Sequence, residues 1–107
     1  MNELNKAIDE AKKIIIAGHV RPDGDCIGAC VALQRYIKRF YPEKNVCVYI
    51  ETVPEVFQFM DDKKDIFSNS VPQDKFDLFI ALDCSSPDRL GDAQKAFYNA
   101  KSTMCID

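Results

Sequence analysis

Two hydrophobic periods alternate along the chain. Leu4, Ala7, Ile8 and Ala11 recur at helical spacing, and Lys12-Lys13 then opens the apolar run Ile14-Ile15-Ile16-Ala17, a pattern that predicts a helix followed by a strand. Cys30, Leu33, Ile37 and Phe40 share a second helical face. Pro42 and Asn45 punctuate the chain before Val46-Cys47-Val48-Tyr49-Ile50, a second strand. Pro54 is placed to start a short helix through Phe59, Ile66-Phe67 reads as a short strand, and Pro72 closes a polar stretch. Leu78-Phe79-Ile80-Ala81-Leu82 is a near-continuous apolar strand. Ser86-Pro87 then reads as an N-cap with proline at the first helical position, opening a helix with Ala93, Ala96, Phe97 and Ala100 on one face. Met104-Cys105-Ile106 is the last predicted strand. Strands that are apolar throughout are buried on both faces, so the expected fold class is α/β, a parallel β-sheet flanked by helices.

Composition narrows the picture. A chain of 107 residues, 47% apolar and 29% charged, is expected to form one globular domain that buries about two-thirds of its unfolded surface. Seventeen acidic against fourteen basic side chains, a net charge of −3, exclude a polybasic binder coating long nucleic acid; a nucleic-acid partner would be short or held through metal. The longest apolar stretch, residues 14–18, is far short of the ~20 residues of a membrane span, so neither a signal peptide nor a membrane anchor is expected. The five cysteines are odd in number and show no CxxC spacing, which suits a reducing, cytoplasmic setting. The sequence stops at Asp107 directly after a strand, with no helix to cover it. The expectation is an N-terminal fragment whose last strand pairs with a second copy, as a homodimer, or with the missing remainder.

The single histidine, His19, follows the first strand in Gly18-His19-Val20-Arg21-Pro22-Asp23-Gly24-Asp25, and a helix opens directly afterwards. Asp23 and Asp25 flank a permissive glycine, so one turn can aim both carboxylates at adjacent positions. Taken alone, this triplet reads equally well as a turn with a helix N-cap. Asp83 shifts the balance, because it places another carboxylate at the carboxyl end of a strand, on the sheet edge where α/β folds bind ligands, and an unpaired charge beside an apolar strand is costly. Carboxylates with imidazole suit a hard or borderline cation such as Mn²⁺, with Mg²⁺ as the substitute, whereas Ca²⁺ would avoid the nitrogen and a structural zinc site would normally show cysteines. Two such ions roughly 3.5–4 Å apart, bridged by Asp83, activate water for attack on phosphorus. The helix N-terminus near Cys26 favours an anionic substrate, and Gly28 is expected to let this helix pack closely on the sheet.

The segment His19 to Ala29 resembles the first motif, HxxPDxDxxGS or GA, of the DHH phosphoesterases. Asp83 matches the second motif, an aspartate ending a strand. Asp107 matches the aspartate that begins the third motif, Asp-His-His. The pattern Asp83-Cys84-Ser85 followed by Asp88-Arg89-Leu90-Gly91 is most similar to the branch of bifunctional oligoribonucleases and pAp phosphatases. The resemblance implies a Rossmann-like domain and a manganese-dependent hydrolase in which His19, Asp23 and Asp83 hold one ion while Asp25 and Asp83 begin the second site. It further implies that a motif-three histidine, a downstream aspartate and a C-terminal substrate-binding domain lie outside residues 1–107, leaving this chain weak or inactive alone.

The expected activity is hydrolysis of very short RNA or of 3′-phosphoadenosine 5′-phosphate. Cyclic dinucleotide, pyrophosphate, polyphosphate and single-stranded DNA hydrolysis are the alternatives within the family. Arg21 and Arg89 are candidate phosphate contacts, against the reading of solvated charges or ion-pair partners. The cysteines are expected to be small buried hydrophobes. Phe57, Phe59 and Phe67 are expected in the core rather than in a base-stacking patch, and Lys12-Lys13, Asp61-Asp62 and Lys63-Lys64 at the surface. A non-catalytic phosphoacceptor module with Asp83 as acceptor would have no use for His19, and a dinucleotide-binding fold would need a GxGxxG that is absent after the first strand.

Overall fold

The computed structural model describes residues 3–18, 24–51, 66–68, 71–72, 75–82 and 87–106. The expected helix after Pro54 and the cap at Ser86 lie outside them. The elements run α1 (Glu3–Glu10), β1 (Lys13–Gly18), α2 (Gly24–Phe40), β2 (Asn45–Tyr49), β3 (Ile66–Phe67), β4 (Leu78–Leu82), a 3₁₀ segment (Pro87–Ala93), α3 (Gln94–Asn99) and β5 (Ser102–Ile106). All strand pairs are parallel, in the order β3-β2-β1-β4-β5. The order reverses at β1, so the switch point of the doubly wound sheet lies between β1 and β4.

Two cores follow from the period-two alternation of the strands. On one face Ile14, Ile16, Val46, Val48, Leu78 and Ile80 pack under Ile8 of α1 and under Cys26, Ile27, Cys30, Val31 and Ile37 of α2. On the other, Ile15, Ala17, Cys47, Tyr49, Phe79 and Ala81 pack under Leu90 and Ala93, with Phe97 edge-on to Phe79 at a centroid distance of 5.3 Å. β1 and β4 are buried along almost their whole length, as expected of central parallel strands.

Several expectations are corrected. The helix predicted from Pro87 is a 3₁₀ segment, and α-helix begins only at Gln94. Gly91 interrupts it in the left-handed region (φ 57°, ψ −127°), which a continuous helix does not accommodate. Phe40 is 60% exposed, and Gln34 takes a buried place on α2 instead. Phe40 is rotated roughly 100° from the middle of the buried stripe at 3.6 residues per turn. Cys26, Cys30 and Cys47 are buried as expected, but Cys105 is an exposed free thiol, because β5 is an edge strand among the described residues. Phe67 is 38% exposed for the same reason, on the two-residue edge strand β3. Gly28 is exposed, with nothing within 4 Å of a Cβ placed there, so it makes no close approach to the sheet. Lys12 and Lys13 are exposed as expected.

Candidate active site at the carboxyl edge

Three strands end level. Gly18 pairs with Leu82, and Leu82 pairs with Ile106. The residues that follow in the chain are His19, Asp83 and Asp107. β1, β4 and β5 therefore end in a single register row at the carboxyl edge, the edge where open α/β sheets take ligands at the switch point.

The loop after β1 returns into α2, whose first turn carries Asp25 as an exposed carboxylate, a position the positive end of the helix dipole favours. The glycine that lets α2 come close is Gly18 rather than Gly28. A Cβ at Gly18 would collide with Cys26 Sγ and lie 3.7 Å from both Cys30 Sγ and the Leu82 carbonyl oxygen. Its place directly before the only histidine, at a strand-to-helix turn, is the signal that could have marked it. The two thiols behind it are structural. The hydrogen bond between Cys30 and Cys26, then burial, then the neighbouring Cys26 charge push the Cys30 thiol far above its ordinary range, so it stays protonated in this packing. At the end of β2, burial, with Asp92 and Glu51 nearby, raises the Tyr49 phenol and keeps it neutral.

Of the residues read as site members, Asp25 and Arg89 are described, both exposed, Arg89 on the 3₁₀ segment. His19, Arg21, Asp23, Asp83 and Asp107 lie outside the described residues. Among the described residues no three His, Cys, Asp or Glu side chains assemble into a cation site. None of their helices is long and apolar enough to cross a membrane.

A doubly wound parallel sheet with its switch point beneath a helix N-terminus defines an α/β protein organised around its carboxyl edge. The chain belongs to the DHH family, whose N-terminal domain model matches residues 13–107. Over 47 residues it is 49% identical to the bifunctional oligoribonuclease and PAP phosphatase NrnA of Mycoplasma pneumoniae, a stretch covering 43% of this chain and 14% of that protein. To the protein of the same name from Mycoplasma genitalium it is 47% identical over 49 residues, 45% of this chain and 15% of that one. The fold superposes on an exopolyphosphatase-related protein from Bacteroides fragilis with a TM-score of 0.81 and 26% identity, over 97% of this chain and 33% of that chain.

Proposed function

We propose that residues 1–107 form the N-terminal, metal-holding portion of a phosphoesterase that hydrolyses short oligoribonucleotides or 3′-phosphoadenosine 5′-phosphate. The observation that carries the reading is the common register row of Gly18, Leu82 and Ile106 in a chain matching the DHH family. The substrate follows the names of the two Mycoplasma relatives. A C-terminal domain supplies further substrate contacts, and the 107 residues alone turn over weakly or not at all.

In this reading His19, Asp23 and Asp83 hold one Mn²⁺, and Asp25 with Asp83 begins a second site, completed by a motif-three histidine after Asp107 and a downstream aspartate. Mg²⁺ substitutes with lower preference for the imidazole. Bound there, the ions supply Lewis-acid activation of water and charge stabilisation during in-line displacement at phosphorus. Asp83 would be shared by the two sites. Arg21 and Arg89 hold the substrate phosphate in place by charge-assisted hydrogen bonds, and the N-terminal N–H groups of α2 face the same anion. The acidic balance of the chain disfavours long nucleic acid outside this edge. A cytoplasmic, membrane-free setting fits nucleotide substrates, and a homodimer paired along β5 would protect that edge.

The test is calorimetric titration of the 107-residue chain with Mn²⁺ beside Asp83→Ala, with circular dichroism to show that both are folded. Binding by the wild type that is lost in the variant supports the site. A folded wild-type chain that binds no Mn²⁺ refutes a site preformed by these residues. The polyphosphatase alternative is favoured by the Bacteroides neighbour and is separated by offering polyphosphate and 3′-phosphoadenosine 5′-phosphate in parallel.

A further inference from the structure

The outward face of α2 carries a pattern that neither the core nor the carboxyl edge uses. Arg35, Tyr36, Arg39 and Phe40 fall on the side opposite the buried stripe and are all exposed, Tyr36 by 38% and Phe40 by 60%. Their rings are arranged rather than scattered. Tyr36 and Phe40 meet at a centroid distance of 5.1 Å, tilted by 48°. The Arg39 guanidinium lies 5.7 Å from the Phe40 ring centroid. The Tyr36 hydroxyl donates a 3.0 Å hydrogen bond to Asn5 Oδ1 of α1, which fixes its ring in place. Lys38 adds a further cation in the last turn, and the only acidic residue of α2 is Asp25, at its other end. Asp9 and Glu43 lie toward Tyr41, on the flank of the patch. In a chain of net charge −3 this is a local concentration of positive charge around two exposed aromatic rings. Basic residues in a last turn also complement the helix dipole, but the dipole asks for no packed pair of exposed aromatic rings beside them.

We propose that this face of α2 is an anchoring site for single-stranded oligonucleotide, with a base stacked on Phe40 and phosphates on Arg35 and Arg39. Aromatic faces interleaved with cations are what sequence-tolerant single-strand binders present, and guanidinium planes stack on bases as well as pair with phosphates. The proposal deepens the phosphoesterase reading and rests on it for its biological meaning. α2 runs from the carboxyl edge to the patch, about 22 Å at 1.5 Å per residue. A mononucleotide at the carboxyl edge cannot touch both, whereas an oligonucleotide of several residues can. The patch would then favour longer members of the short-RNA class and leave 3′-phosphoadenosine 5′-phosphate unaffected.

The test is fluorescence anisotropy of a labelled single-stranded oligo(A) of about seven nucleotides, within the usual site size, titrated with the 107-residue chain in EDTA. Without Mn²⁺ the readout does not depend on metal at the edge site, and the Phe40 and Arg39 variants separate the patch from edge contacts through Arg21 or Arg89, so failure here is distinct from failure of the Mn²⁺ titration. Wild type is expected to bind, more weakly as salt rises. Phe40→Ala and Arg39→Ala should each weaken binding about fivefold or more while leaving the circular dichroism spectrum unchanged, since both side chains are exposed. Absence of wild-type binding, or equal affinity in the variants, would overturn the proposal. So would a concentration-dependent dimer abolished by Phe40→Ala, because the patch would then be covered by a second copy of this chain.

Discussion

β4 is bracketed by two aspartates with opposite fates. Asp77 stands before its first residue and Asp83 after its last. At the amino edge, Asp77 Oδ2 accepts the backbone N–H groups of Lys12 and Lys13, both at 3.0 Å. Its own N–H donates to the Lys13 carbonyl, and its carbonyl accepts the Ser102 N–H, both at 2.9 Å. The starts of β1, β4 and β5 are thus tied to one residue, beside a cleft of about 410 Å³ flanked by Lys12 and Lys101. The charge there is already used by the backbone. At the carboxyl edge the same strands end level at Gly18, Leu82 and Ile106, and the chain continues with His19, Asp83 and Asp107. Residue type alone does not separate the two aspartates. Strand direction does, because only the carboxyl ends of a parallel sheet open toward the helix N-termini and the switch point.

The sharpest way to break this contrast is to exchange the aspartates' roles by substitution. Asp83→Ala is expected to lower Mn²⁺ affinity at least tenfold, since even outer-shell partners of a metal ligand are worth about that much. Asp77→Ala should leave it unchanged, read by calorimetry on chains with matched circular dichroism. Next in size is Gly18→Val, which drives a side chain into Cys26 Sγ. Overpacking of this kind costs about 1–3 kcal/mol, so urea unfolding should show a lower midpoint at unchanged m-value. Gly28→Ala should do the reverse. With open space around it on an exposed helical position, it should gain about 0.5–1 kcal/mol of helix propensity, and a loss of stability would mean that Gly28 approaches something after all.

The smallest effect is expected at Asp77 itself. Hydrogen bonds from the Lys13 and Lys12 backbone, outweighing some desolvation and helped by the Lys101 and Lys12 charges, hold its carboxyl below the ordinary value of 3.8. A depressed folded-state pKa contributes stability above the unfolded value, and that contribution is lost as pH falls through the folded one. Asp77→Ala should lower Tm by a few degrees or less at neutral pH, and the gap to wild type should close on acidification below pH 3.8. A gap that persists or widens in acid would contradict the assignment.

The sequence pattern revealed the architecture because burial on both faces leaves an unbroken apolar run: β1 and β4 stand out as Ile14-Ile15-Ile16-Ala17 and Leu78-Phe79-Ile80-Ala81-Leu82. Even the two-residue β3 was visible in Ile66-Phe67. What escaped was decided by three-dimensional neighbours. The close approach falls at Gly18 rather than Gly28 because it depends on where Cys26 Sγ sits, which spacing does not encode. Phe40 turns to solvent because the buried stripe of α2 is centred on Cys26, Ile27, Cys30, Val31, Gln34 and Ile37, about 100° away from it. The break at Gly91 depends on a backbone conformation that other glycines here do not adopt. Asp77 gave no signal, because a carboxylate capping strand starts shares its composition with any surface loop. The candidate site was read from His19 and Asp83 following the apolar runs of β1 and β4 in the sequence; of its carboxylates the described residues include Asp25, exposed in the first turn of α2.

The most direct test is a ¹⁵N-resolved NMR titration of the 107-residue chain with substoichiometric Mn²⁺, whose paramagnetism broadens nearby amides first. The account predicts early loss of the Gly18, Asp25, Leu82 and Ile106 signals while those of Lys13, Leu78 and Ser102, one strand length away at about 3.3 Å per residue, persist. Broadening that begins at the amino edge around Asp77, or that spreads evenly over the chain, would contradict it.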